Sequence, residues 1–263
     1  MLRLECRNKP RGAFKRLRLT CVQMIYTSSF LTDGSDFLRE VALVLPLVEV
    51  FAKRVVYADS ARHPTRSHKS WIKWSRHYAS LGYRYSNDTG FQFAFYSFDK
   101  FDLLCFCGSN QWEDWVGNLS EIDVGSKMYE FNRSITSVAA SQYRTTNPLF
   151  VSGHSLGAAL AQHHYKREPA GNLVTFNSPV VSLVDGLPSS ILHVQHLGDP
   201  IYRLSRLRAH AAKRSDLGLL RGYRLNYSAS PSTPLVKVRR DGRLPNHSGL
   251  FTVSDLPFDL LVD

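Results

Sequence analysis

The chain has 263 residues, 43 % of them hydrophobic, enough for one domain with a large core. Its 33 Lys and Arg against 22 Asp and Glu give a formal charge of +11, which favours polyanionic partners over cationic ones. No apolar run has the length of a membrane-spanning helix, and the 4 cysteines form neither a disulfide framework nor a paired C-x-x-C metal site.

In chain order, residues 1–35 come first as a basic arm with seven Lys or Arg in the first twenty residues and one acid, Glu5. Thr, Gln and Ser interrupt its apolar stretch over residues 19–31, so it does not read as a secretory signal; a disordered tail and an organelle-targeting segment both fit. Residues 36–263 read as a single α/β domain. Leu38, Val41, Leu45, Val48 and Ala52 predict a buried helix over Asp36–Val56, kinked at Pro46. Trp71, Trp74, Tyr78 and Leu81 predict a second helix over Ser67–Leu81, its aromatic stripe facing the core. His63, His68 and His77 show no ligand spacing.

The period then changes to two. Phe91, Phe93 and Phe95 alternate with Gln92, Ala94 and Tyr96, and Asp99-Lys100 leads into a second strand, Phe101–Cys107, making a hairpin. On that strand Cys105 and Cys107 point the same way. A helix over Lys127–Tyr143 precedes the short strand Pro148–Ser152, and small residues from Ala158 open another helix. Asn172–Phe176 and Ile191–Leu197 read as buried strands, with a late pair at Gly222–Tyr227 and Leu235–Arg239. This alternation predicts a mostly parallel sheet flanked by helices, with an antiparallel hairpin at its N-terminal side.

Between strand and helix stands Gly153-His154-Ser155-Leu156-Gly157, a G-x-S-x-G pattern in the context of a nucleophile elbow. Ser155 is the candidate nucleophile, and a serine hydroxyl needs a base to take its proton and an acid to orient that base. Asp199 is the candidate acid, in the turn after Ile191–Leu197. Asp185 lacks a comparable leading strand. Only His210 and His247 follow Asp199, and His247, in the loop Pro245–Gly249, is preferred to His210 in its basic, helical-looking stretch. His163 and His164, after the elbow, are expected to face solvent. His154 is expected to support the turn. Backbone N–H groups of Leu156 and Ser109 are the candidate oxyanion donors. Asn110 to Glu113 looks like an N-cap, and Trp112, Trp115, Val116 and Leu119 follow at helical spacing. That segment reads as a lid over an apolar cleft or as a fixed helix packing its tryptophans inward.

Over residues 91–250 these motifs resemble the class 3 lipases, α/β-hydrolases of the fungal-lipase type. Phe106-Cys107-Gly108-Ser109 with Asp114-Trp115 is similar to the F-R-G-[ST]…D-W block, and residues 153–161 to the G-H-S-L-G-G-A-L-A elbow. Thr175-Phe176-Asn177-Ser178-Pro179 is similar to T-F-G-x-P, while Asp199-Pro200-Ile201 and Asn246-His247 match the acid and base positions. The chain departs from the pattern at Cys107 and Val180, where arginines stand in the family, at Ala158 for a glycine, and at Val124-Gly125 for His-Gly. The resemblance implies an α/β-hydrolase fold and a Ser155-Asp199-His247 triad. It places oxyanion donors at Ser109 and Leu156 and a lid near residues 110–119. It implies hydrolysis of carboxylic esters of acylglycerols or phospholipids, without cofactor or metal.

Two other functions fit the residues. One is an inactive hydrolase scaffold binding nucleic acid or anionic membranes through basic patches, with nucleic acid the less favoured partner. The other is an esterase for small soluble acyl esters. Besides the arm, residues 203–224 carry seven basic residues against Asp216, and Lys237, Arg239, Arg240 and Arg243 form a third cluster; a solvated face is the plainer reading of these. Cysteine usage predicts a reducing, cytoplasmic setting, with organelle targeting by the arm left open.

Overall fold

The computed structural model describes residues 36–109, 123–179, 181–182, 190–196, 199, 217–218 and 223–227. Helix α1 spans Asp36–Val50 and passes through a π-helical turn, Phe51–Val55, into α2, Val56–Ser60. The helix expected over 36–56 is thus present and longer. After it come α3, Arg66–Ser75, and three strands: β1 Ala79–Ser86, β2 Gln92–Phe98 and β3 Asp102–Phe106. Then follow α4 Ser126–Tyr143, β4 Leu149–His154, α5 Leu156–Arg167 and β5 Asn172–Phe176. The last strands are β6 Val181–Ser182, β7 Ile191–His196, β8 Leu217–Gly218 and β9 Tyr223–Tyr227.

The main sheet has the order β1-β2-β3-β4-β5-β7-β9, and β6 pairs with β8 separately. β1, β2 and β3 run antiparallel, whereas β3-β4, β4-β5, β5-β7 and β7-β9 are parallel pairs. The expected mixed sheet with its N-terminal hairpin is therefore present, and β1 extends the hairpin. The strand expected at Leu235–Arg239 lies outside the described residues.

Chain period decides which face each side chain serves. Leu103 and Cys105 join one core cluster with Val48, Phe51, Val55 and Trp74, while Leu104 and Phe106 join the other with Tyr129, Leu160 and Tyr165. Cys105 and Cys107 do share a face. All six residues of β4 are buried, as expected for a parallel strand covered on both sides. Each fully buried ring, such as Phe51 or Phe150, contributes roughly 1.5–3 kcal/mol against exposure.

One expected element is corrected. The helix read over Ser67–Leu81 ends at Ser75, and the chain turns into β1 at Ala79. Thr65 caps its start, accepting from the His68 N–H at 3.2 Å while His68 Nδ1 accepts from the Thr65 N–H at 3.2 Å. His68 therefore belongs to a capping box. His163 and His164 are also not at the surface: both are buried on α5. His163 Nε2 lies 2.9 Å from the Val124 carbonyl oxygen, and His164 Nδ1 lies 3.0 Å from the Tyr129 hydroxyl.

Candidate active site

β3, β4, β5 and β7 all run the same way, so their carboxyl ends form one edge of the sheet. In open α/β sheets that edge is where ligands bind. Register aligns Phe106 with Gly153, His154 with Phe176, and Phe176 with Val194. Ser155 follows the last residue of β4, Ser109 stands three residues beyond β3, and Asp199 three beyond β7. The fold thus brings Ser155, Leu156, Ser109 and Asp199 to the same edge. His247, Trp112, Trp115 and Val116 lie outside the described residues, as do the lid segment and Val180.

Ser155 has φ 60° and ψ −128°, a conformation that L-residues seldom adopt. Its N–H donates to the Phe176 carbonyl at 3.0 Å, and its own carbonyl accepts from Ala158 N–H at 3.0 Å. The backbone is held from both sides while the side chain is left over. Its Oγ is buried and has no hydrogen-bond partner among the described residues. A buried hydroxyl without a partner costs free energy, so its presence calls for an occupant or a role.

The flanking glycines are required by space. A Cβ on Gly153 would lie 2.2 Å from the Gly157 carbonyl oxygen, and one on Gly157 would lie 2.3 Å from that of Phe106. Gly157 thereby lets the first turn of α5 touch the backbone where β3 runs into Gly108-Ser109. Leu156 is the first residue of α5, so its N–H has no carbonyl one turn earlier within the helix. Ser109 is half-buried, and its Oγ also has no partner among the described residues.

Two residues unremarked in the sequence complete the frame. The Tyr57 hydroxyl from α2 accepts from the Gly108 N–H and stands 3.2 Å from His154 Nδ1. Burial raises the phenol well above its ordinary pKa, so it keeps its proton to donate to the imidazole. Tyr57 ties the loop before Ser109 to the elbow, and a Cβ on Gly108 would collide with its oxygen. His154 is buried and supports the turn as expected. The second residue is Lys53, buried in the π turn with its ammonium 5.4 Å from the Phe176 ring centroid. Asp199 is 1 % exposed. The only cue to Tyr57 or Lys53 in the sequence is that α1 and α2 are too apolar to face solvent.

Where the family pattern has arginine, Cys107 sits in an apolar pocket that pushes its thiol pKa up. Ala158, in place of a glycine, is fully buried without a close contact being forced on the helix. Gly125 caps α4 at φ 78°, where a side chain would be strained. Among the described residues no group of three or more His, Cys, Asp or Glu could hold a metal ion, and no helix is long and apolar enough to cross a membrane.

No family model matches the chain. In sequence it is 28 % identical over 148 residues to the extracellular phospholipase A1 of Serratia liquefaciens, covering 55 % of this chain and 40 % of that protein. The chain thus spans well under half the length of this curated relative. In structure it is similar to a deletion mutant of Rhizomucor miehei lipase in complex with its propeptide. That match has a TM-score of 0.50 and 18 % identity and covers 72 % of this chain and 68 % of the other. It is also similar to Lip2 lipase of Yarrowia lipolytica, with a TM-score of 0.48, 13 % identity, and coverage of 71 % and 79 %. The fold is that of the α/β-hydrolases. The resemblance drawn from the motifs is thus met by a phospholipase in sequence and by a lipase in fold.

Proposed function

We propose that this chain is a serine hydrolase that cleaves carboxylic esters of lipids, with phospholipids as the first substrate class to try. The observation that carries the reading is Ser155: a strained serine between strand and helix, its Oγ buried and unpartnered among the described residues. Sequence similarity to a phospholipase A1 supports the substrate class.

In this reading Ser155 Oγ attacks the acyl carbonyl while His247 takes its proton, and Asp199 orients the imidazole. The carbonyl π pair moves onto oxygen, and the N–H groups of Leu156 and Ser109 stabilise that oxyanion. Collapse expels the alcohol, which receives the proton from His247, and leaves an acyl-Ser155 ester. Water, deprotonated by His247, attacks the same carbon, releasing fatty acid and restoring the serine. Trp112, Trp115 and Val116 would shape the acyl cleft. The clusters of Lys and Arg would favour anionic lipid surfaces. The cytoplasmic expectation rests on cysteine usage alone, whereas the relative is named as extracellular.

A fluorophosphonate probe tests the nucleophile. Wild type should label, Ser155→Ala should not, and Ser155→Ala should lose about 10⁴-fold or more of ester turnover. Labelling that survives Ser155→Ala would overturn the assignment. Vesicles of anionic against zwitterionic phospholipid, each compared with a short soluble ester, separate a lipid hydrolase from a soluble esterase. Turnover should be higher on the anionic vesicles and fall with added salt.

A further inference from the structure

An ion pair lies inside the core beside the candidate site, and the mechanism above does not use it. Lys53 Nζ donates to Glu49 Oε1 at 3.0 Å, and both side chains are fully buried. The pair is i, i+4 along the helix, but that helix changes at its end. Val56 N–H donates to the Phe51 carbonyl, five residues back, making a π turn around Lys53. Such turns are rare and concentrate at functional sites.

A buried ion pair is a poor way to stabilise a fold. Desolvation of the two charges commonly offsets their attraction, and apolar residues of the same volume serve as well or better. Here the cost shows on Lys53. Burial drives its ammonium down to about 8, Glu49 and Asp199 hold it up, and Arg54 opposes them. These three are the charged groups that act on Lys53, two from its own helix and Asp199 from the chain after β7. The ammonium also stands over the ring of Phe176, whose carbonyl holds the Ser155 N–H. Lys53 is therefore placed at the carboxyl edge of the sheet, between the elbow's anchor and the buried Asp199.

We propose that Glu49 and Lys53 are positioning residues for the acid of the triad: Glu49 holds the Lys53 ammonium in the π turn, and that ammonium keeps buried Asp199 an oriented anion facing the base. This inference rests on the serine-hydrolase reading. A carboxylate with no solvent needs a nearby cation to remain charged, and an ionised Asp199 is what orients the imidazole.

The test compares wild type, Lys53→Met and the double variant Glu49→Leu/Lys53→Met. Lys53→Met leaves Glu49 an unpaired buried carboxylate, so it should lose stability as well as activity. In the double variant the charge pair is replaced by apolar volume, and its melting temperature should stay near that of wild type. Its kcat should nevertheless fall about tenfold or more with KM within about twofold, because the loss is in the transition state. Removing a cation raises the pKa of both Asp199 and the base, so the acid limb of the kcat/KM profile should move up by about half a unit or more. A double variant with wild-type kcat and an unmoved acid limb would overturn the inference and leave the pair a structural filler. Fluorophosphonate labelling of wild type separates the two failures. A wild type that does not label overturns the hydrolase reading and this inference with it; a wild type that labels, beside a fully active double variant, overturns this inference alone.

Discussion

A serine held at φ 60° and ψ −128° costs free energy that its neighbours must supply. Backbone bonds to Phe176 and Ala158 fix Ser155 there, and a sparsely populated conformation costs of order 1–3 kcal/mol. Glycine adopts positive φ without that cost. Ser155→Gly should therefore be more stable than Ser155→Ala by about 1 kcal/mol or more, with neither variant turning over ester. Urea unfolding midpoints measure this; equal midpoints would mean that the elbow is relaxed. The same residue shows how far sequence reading reaches. The G-x-S-x-G pattern located Ser155 from its neighbours, because a tight strand-to-helix turn has few solutions. It did not locate Tyr57 or Lys53, which meet the edge only after a long helix is folded across the sheet.

Among the elements, the elbow's strand and helix are joined as closely as backbone allows. Gly157 lies where the first turn of α5 meets β3, and a methyl group there would overlap the Phe106 carbonyl oxygen. Neither neighbour can yield without opening the parallel β3-β4 pair. Gly157→Ala should cost about 3 kcal/mol or more in thermal or urea unfolding and remove fluorophosphonate labelling, since the loop at Ser109 must shift with it. A variant of wild-type stability would show that α5 can back away. Most strands were legible because apolar runs of five or six residues between turns mark a parallel sheet. β1 was not. Its outward residues Ser80, Arg84 and Ser86 alternate with half-buried Leu81, Tyr83 and Tyr85. However, Trp71, Trp74, Tyr78 and Leu81 also fit a helical stripe, and all four pack on one core cluster. Contact with a single core from two elements imitates the period of one.

Across the whole molecule, the sheet separates two cores, and α5 is enclosed between the sheet and α4. That enclosure is why its histidines are buried despite their polarity. Burial drives His164 down from 6.5 to about 4 and lowers His163 as well. Both rings are thus harder to protonate in the folded chain than in the unfolded one. As pH falls from 6.5 toward 4 the unfolded state binds more protons, so their contribution to stability, complete above 6.5, is lost as pH passes through the folded value. Melting temperatures taken from pH 7 to 4 should fall, and His164→Asn should flatten that slope while lowering stability at pH 7. An unchanged slope would place the acid sensitivity elsewhere.

Cys105 and Cys107 give the same enclosure a clock. They lie in the middle of the sheet, fully shielded, and burial raises both thiols above their ordinary pKa. A thiol reacts as its thiolate and only when reached. In a chain with Cys6 and Cys21 replaced by serine, a soluble alkylating reagent would find no thiol until the sheet parts between β3 and its neighbours. The rate of alkylation would then count openings of the molecule's centre, with no probe added and no denaturant present.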